Sequence, residues 1–179
     1  ARTQRGGGFT ADELRTALQM DDAAAEAAID ELVQQGALTT LTPGKYLDTE
    51  RADALLQSVL EALAAFHAES PLQVGAPKAH IQAQVPSAAP DLLQWLLNTL
   101  HSRGLVAPER GAWRLHTHSV TLSPEHEAAV ARLLRASQDA GLSAPSRDEA
   151  LALLGGPQSR PLLEIALQRG ELVAVGDFI

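Results

Sequence analysis

No cysteine occurs among the 179 residues, which removes disulfides, thiolate zinc sites, iron–sulfur clusters and cysteine nucleophiles at once. Aromatic residues are scarce at 3% while Ala and Leu abound, a balance that favours helices over a large sheet. No apolar run approaches the roughly 20 residues of a membrane-spanning helix. The opening ARTQRGGG has neither an apolar signal core nor an initiator Met, so a cytoplasmic location and a larger parent chain are expected. Cations are also short, with 14 Lys+Arg against 22 Asp+Glu and a net charge of −8. A polyanion is therefore a poor default partner for the chain as a whole.

What the sequence does contain is a repeat. ELVQQGALTTLTPGKYL (31–47), NTLHSRGLVAPERGAWRL (98–115) and EIALQRGELVAVGDFI (164–179) share one pattern. An apolar helical stretch leads to a polar pair and a Gly, then to a β-like run, a turn and an aromatic. The glycines are Gly36, Gly104 and Gly170, and the aromatics Tyr46, Trp113 and Phe178. Each Gly stands where a helix ends in the left-handed conformation, which a residue without Cβ enters freely. The preceding helices carry apolar stripes: Ile29, Leu32, Val33; Leu93, Leu96, Leu97, Leu100; Leu163, Ala166, Leu167. After each Gly a hairpin is expected, over Leu38–Leu41 with Lys45–Leu47, Leu105–Ala107 with Trp113–Leu115, and Leu172–Val175 with Phe178–Ile179.

A shorter helix precedes each long one. Thr10 and Ser146 read as N-caps with acidic residues following, and Pro77 reads as the first helical residue of the middle copy. Short helix, tight turn, second helix and two-stranded wing make a winged helix-turn-helix. The expected fold is mainly α with small β wings, in tandem winged-helix modules at 1–49, 50–118 and 119–179. The second and third modules open with long helices, Arg51–Ala68 and Ser123–Ala140. The first has only the basic, Gly-rich Ala1–Gly8 there, so its leading helix is expected upstream of residue 1. The aromatic that begins each last strand is expected to close a small core.

Catalytic motifs fail one by one. Gly44-Lys45 is followed by Tyr46 rather than Ser or Thr, so no phosphate-binding loop forms. The GGG at 6–8 follows no strand, and no G-x-S-x-G elbow supports a serine nucleophile. Of His67, His80, His101, His116, His118 and His126, only His116 and His118 are close in sequence, and two further zinc ligands are lacking. Neither catalysis nor a metal is expected of these residues. Winged helices often read DNA with the second helix, yet here that helix carries Asp21, Asp22, Glu26, Asp30 and Glu31 in the first module, which phosphates repel. Lys45, Arg110 and Arg114 on the wings are the candidates for contact with an RNA backbone.

LEALAAFHAESPLQVGAPKAHIQAQV (60–85) resembles the second winged helix of the bacterial selenocysteine-specific elongation factor family, SelB. The resemblance rests on Phe66-His67, Pro71-Leu72, Gly75 and Lys78. GAWRLHTH (111–118) followed by LSPEHEAAV (122–130) is similar to that family's junction between the second and third modules. The resemblance implies a parent with an elongation-factor-like GTPase region that binds GTP with magnesium and selenocysteinyl-tRNA. Four winged helices would follow, the last gripping the mRNA hairpin that recodes UGA on the ribosome. None of the GTP-binding or hairpin-binding residues maps onto this chain, and no cofactor is implied for it. What is left would be an arm between tRNA delivery and mRNA recognition. The rival readings are a winged-helix scaffold that recognises proteins and a DNA-binding transcriptional regulator.

Overall fold

The computed structural model describes residues 7–141 and 143–179. The first six residues of the basic start, and the helix expected before them, lie outside the described residues. Eight helices and six short strands follow one another among the described residues, and the tandem winged-helix architecture is borne out. The chain separates into two compact units. Among the described residues, one comprises 7–69 with 74–118, the other 70–73 with 119–141 and 143–179.

The first unit begins with β1 (Phe9–Thr10), α1 (Ala11–Leu18) and α2 (Asp22–Gln34), then the hairpin β2 (Leu38–Thr42) and β3 (Lys45–Asp48). Thr10 closes a capping box on α1: the Glu13 N–H donates to its Oγ1, and its own N–H donates to Glu13 Oε2 at 2.8 Å. Asp21 caps α2 by accepting the Ala24 N–H at 2.7 Å. The long α3 (Thr49–Glu69) leads to β4 (Ala76–Pro77), α4 (Lys78–Gln84), α5 (Pro90–Ser102), β5 (Val106–Glu109) and β6 (Ala112–Leu115). Pro77 is the last strand residue and the N-cap of α4 rather than its first helical residue; with φ fixed by its ring, it suits both places.

The sheets are antiparallel and three-stranded, in the orders β1-β3-β2 and β4-β6-β5. Each hairpin expected in this unit forms, and each gains a strand that sequence patterning did not reveal. Two residues are too few to show alternation, so β1 and β4 left no periodic signal. Their trace is a glycine. A Cβ on Gly8 would lie 2.6 Å from the Tyr46 carbonyl oxygen, and one on Gly75 would lie 2.7 Å from that of Trp113. In both sheets the first strand can approach the last only because no side chain stands between them.

One core runs through this unit. Leu41 and Leu47 of the first hairpin join Leu55, Val59 and Leu63 of α3, Ile81 of α4 and Leu93, Leu96, Leu97 and Leu100 of α5. The α3 helix thus serves the first wing with its opening turns and the following module with the rest of its length.

The second unit holds α6 (Pro124–Ala140), α7 (Arg147–Leu154) and α8 (Ser159–Gln168) around Val130, Leu133, Leu154, Leu162 and Leu163. Ser123 caps α6 with Pro124 at N1, and Ser146 forms a capping box with Glu149 on α7. The third hairpin is reduced to isolated bridges, Val175 with Phe178 and Ser146 with Phe178. Phe178 is 56% exposed and Ile179 takes the buried place, so the aromatic of this copy does not close a core. Tyr46 and Trp113 are half-buried, and only Trp113 of the two packs against the core of its unit.

The three repeat glycines do what their spacing implied. Gly36, Gly104 and Gly170 have φ of 74°, 71° and 70°. In each copy the Gly N–H and the next N–H fold back onto helix carbonyls: Gly36 to Val33 and Ala37 to Leu32, Gly104 to His101 and Leu105 to Leu100, Gly170 to Leu167 and Glu171 to Ala166. This is the same Schellman cap three times.

Candidate nucleic-acid interface

The wing cations come to rest in unlike settings. Lys45 is half-buried on β3, opposite Thr10 of β1 and Thr42 of β2. Arg110 is exposed at the tip of the β5–β6 hairpin with φ of 51°, followed by Gly111 at 83°. Two successive residues with positive φ make the tight turn whose twist matches the flanking strands.

Arg114 is committed to the chain itself. Its Nε donates to Glu109 Oε2 at 2.9 Å, and its Nη1 donates to the carbonyls of Leu115, His116 and His118 at 3.3, 3.5 and 3.0 Å. A guanidinium suits this, since its fixed fork of donors reaches several acceptors at once. The segment leaving β6 is thereby wrapped around its own arginine.

His67 stands at the centre of the same corner. It is the one buried polar residue of the described core. The Leu115 N–H donates to its Nε2 at 3.3 Å, so the neutral ring carries its proton on Nδ1, which has no partner. The His118 ring stacks on it at 3.6 Å, with 12° between planes. Burial first, and then the neighbouring His118 and Arg114, together lower the His67 pKa to about 4. His116, close to His118 in sequence, lies just past β6 and is exposed. His118 is not a solvated linker residue but stacks on His67. Spacing could not show this, because His67 lies on α3, far away along the chain.

Elsewhere Phe66 packs against His80 at 4.9 Å and His101 against Trp113 at 6.3 Å. These are edge contacts that fix rings within the fold. Lys78 donates to Gln94 at 2.8 Å, and Gln94 to Asn98 at 3.0 Å, which spends the basic residue that opens α4. The second helices keep the charge that the sequence implied. Glu26, Asp30 and Glu31 are exposed on α2, and Arg15 pairs with Asp22 at 3.1 Å. That face repels a phosphate chain.

Residues 60–115, which hold β4, α4, α5, β5 and β6, match the family model described as elongation factor SelB, winged helix. That segment is similar to a SelB winged helix. The match begins within α3 and ends with β6, so it takes in the complete second sheet and the helix-turn-helix that the sheet packs on. Of the residues on which the sequence resemblance rested, Phe66, His67, Gly75 and Lys78 have structural work in this segment: an aromatic edge contact, a buried acceptor, a strand crossing and a tether to α5; Leu72 is buried in the core of the second unit. No curated protein matches the chain. No helix among the described residues is long and apolar enough to cross a membrane.

Proposed function

We propose that these residues are part of a selenocysteine-specific translation elongation factor, as a winged-helix arm. The arm would join a GTPase and tRNA-delivery region to a terminal module that holds the mRNA hairpin, on the ribosome and in the cytoplasm. The observation that carries the reading is the similarity to a SelB winged helix at residues 60–115. Within it Arg114 and Lys78 are occupied by the chain's own acceptors. Of the wing cations, Arg110 and Lys45 are left to meet a phosphate, which is too little charge for a phosphate-driven grip. The arm has no catalytic role and needs no cofactor of its own; GTP and magnesium belong to the parent's GTPase region.

Two measurements test this. Fluorescence anisotropy with a selenoprotein mRNA hairpin at modest salt should show weak binding that a scrambled hairpin matches. Tight, sequence-selective binding overturns the arm while leaving the translation factor standing. A reading frame containing these residues should restore selenocysteine insertion at UGA in cells lacking their own factor. Failure, with the protein expressed and folded, overturns the factor itself and favours the protein-recognition scaffold, for which the exposed acidic face of α2 is suited.

A further inference from the structure

The second and third copies of the module differ where the leading helix meets the short helix. In the second copy Phe66 of α3 lies across from His80 of α4, with ring centres 4.9 Å apart. Laid over one another at their N-caps, Pro77 and Ser146, the short helices bring His80 onto Glu149. The buried Leu63 and Leu133 bring Phe66 onto Ala136. Both aromatic partners are thus absent from the third copy, and a cleft of about 490 Å³ stands in that place. Ala136 and Ala140 of α6 line it together with Ser143 and Pro145 of the connecting loop and Glu149, Ala152 and Leu153 of α7. Leu153 is 42% exposed there.

The carboxylate in this cleft is held ionised. The N–H and the hydroxyl of Ser146 both donate to Glu149 Oε2 at 2.8 Å, and these bonds lower its pKa below the ordinary carboxylate value. Both bonds fall on one oxygen, which leaves Oε1 open. A largely apolar lining with one ionised carboxylate among its residues suits a flat cation on an apolar stem. We propose that the cleft between α6 and α7 is a docking site for an arginine side chain presented by a basic protein segment. The guanidinium would lie against Ala136 and Ala140 and donate to Glu149 Oε1, and its methylenes would cover Leu153.

The test is a titration of the isotopically labelled full chain with acetyl-Gly-Arg-Gly-amide, followed by amide shifts. The same peptide with citrulline, which keeps the shape and removes the charge, is the comparison. Saturable shifts at Ala136, Ala140, Ala152 and Leu153 are expected with arginine. The citrulline peptide should bind about threefold more weakly or worse, as should Glu149→Gln with the arginine peptide, in line with one exposed charge pair. Ala136→Phe, which restores the ring of the second copy, should abolish the shifts. If that variant fails to fold, Glu149→Gln still decides, because Gln keeps an oxygen for the Ser146 cap. No shifts in the cleft, equal shifts with citrulline, or shifts spread over the acidic face of α2 and undiminished in Glu149→Gln overturn the proposal.

Discussion

At the scale of single residues, the corner made by His67, Arg114 and His118 concentrates the polar chemistry of the first unit. The His67 pKa falls from 6.5 to about 4 on folding. The unfolded chain therefore takes up a proton in a range where the folded one does not. Stability from this residue is fully present above about pH 6.5 and is lost as pH falls towards 4. Urea unfolding followed by tryptophan fluorescence should show the first unit about 1–2 kcal/mol less stable at about pH 5 than at pH 7. In His67→Gln, which cannot titrate, that difference should shrink; an unchanged difference would assign the loss to other groups. Arg114 gives a second contrast. Arg114→Ala should cost about 1–2 kcal/mol, because three carbonyls and Glu109 lose a charged donor. Arg110→Ala, at an exposed turn, should stay within about 0.5 kcal/mol. Thermal unfolding of the two variants separates a cation that holds the fold from one that is free for a partner.

At the scale of elements, two kinds of glycine carry the repeat, and they differ in cause. Gly104 needs its positive φ and has open space around it, whereas Gly75 needs the absence of a side chain beside the Trp113 backbone. Gly104→Ala should therefore cost about 1 kcal/mol. Gly75→Ala should cost more, about 2 kcal/mol or above, since two strands must part to admit a methyl. Equal losses in denaturant midpoints would contradict the close strand crossing. The same contrast explains what could be read from the sequence. Gly36, Gly104 and Gly170 close helices with long apolar stripes, so helix, cap and hairpin were legible from periodicity. Gly8 and Gly75 announce strands of two residues, where no periodicity exists, so β1 and β4 went unseen. The cleft on α7 was illegible for another reason. Its signal is the exchange of Phe66 and His80 for Ala136 and Glu149, which emerges only when the third dimension pairs one helix with the other. The third wing is reduced although VAVGDFI has strand composition: Val173, Val175 and Phe178 are exposed, and of these only Val175 and Phe178 make isolated bridges.

At the scale of the molecule, a threefold repeat in sequence has become two compact units with separate cores. The reason lies in how much apolar surface each copy can bury. A module of about 60 residues is marginal by itself, and α1 with α2 contributes only Ala25 and Ile29 as buried residues. Leu41 and Leu47 of the first wing are instead completed by Ala52, Leu55 and Leu56 at the start of α3, so the first copy shares a core with the second. The second unit builds its own around Leu133, with Leu162 and Leu163. Both tryptophans, Trp95 and Trp113, belong to the first unit, which gives a direct test of separateness. Leu133→Ala opens a cavity among fully buried neighbours and should cost the second unit about 2–5 kcal/mol. Helicity followed by circular dichroism should then fall in two steps, the earlier one shifted by the substitution. The tryptophan transition should hold its midpoint. A tryptophan transition that moves with Leu133→Ala would mean that the two cores melt as one, and that the fold is a single cooperative body.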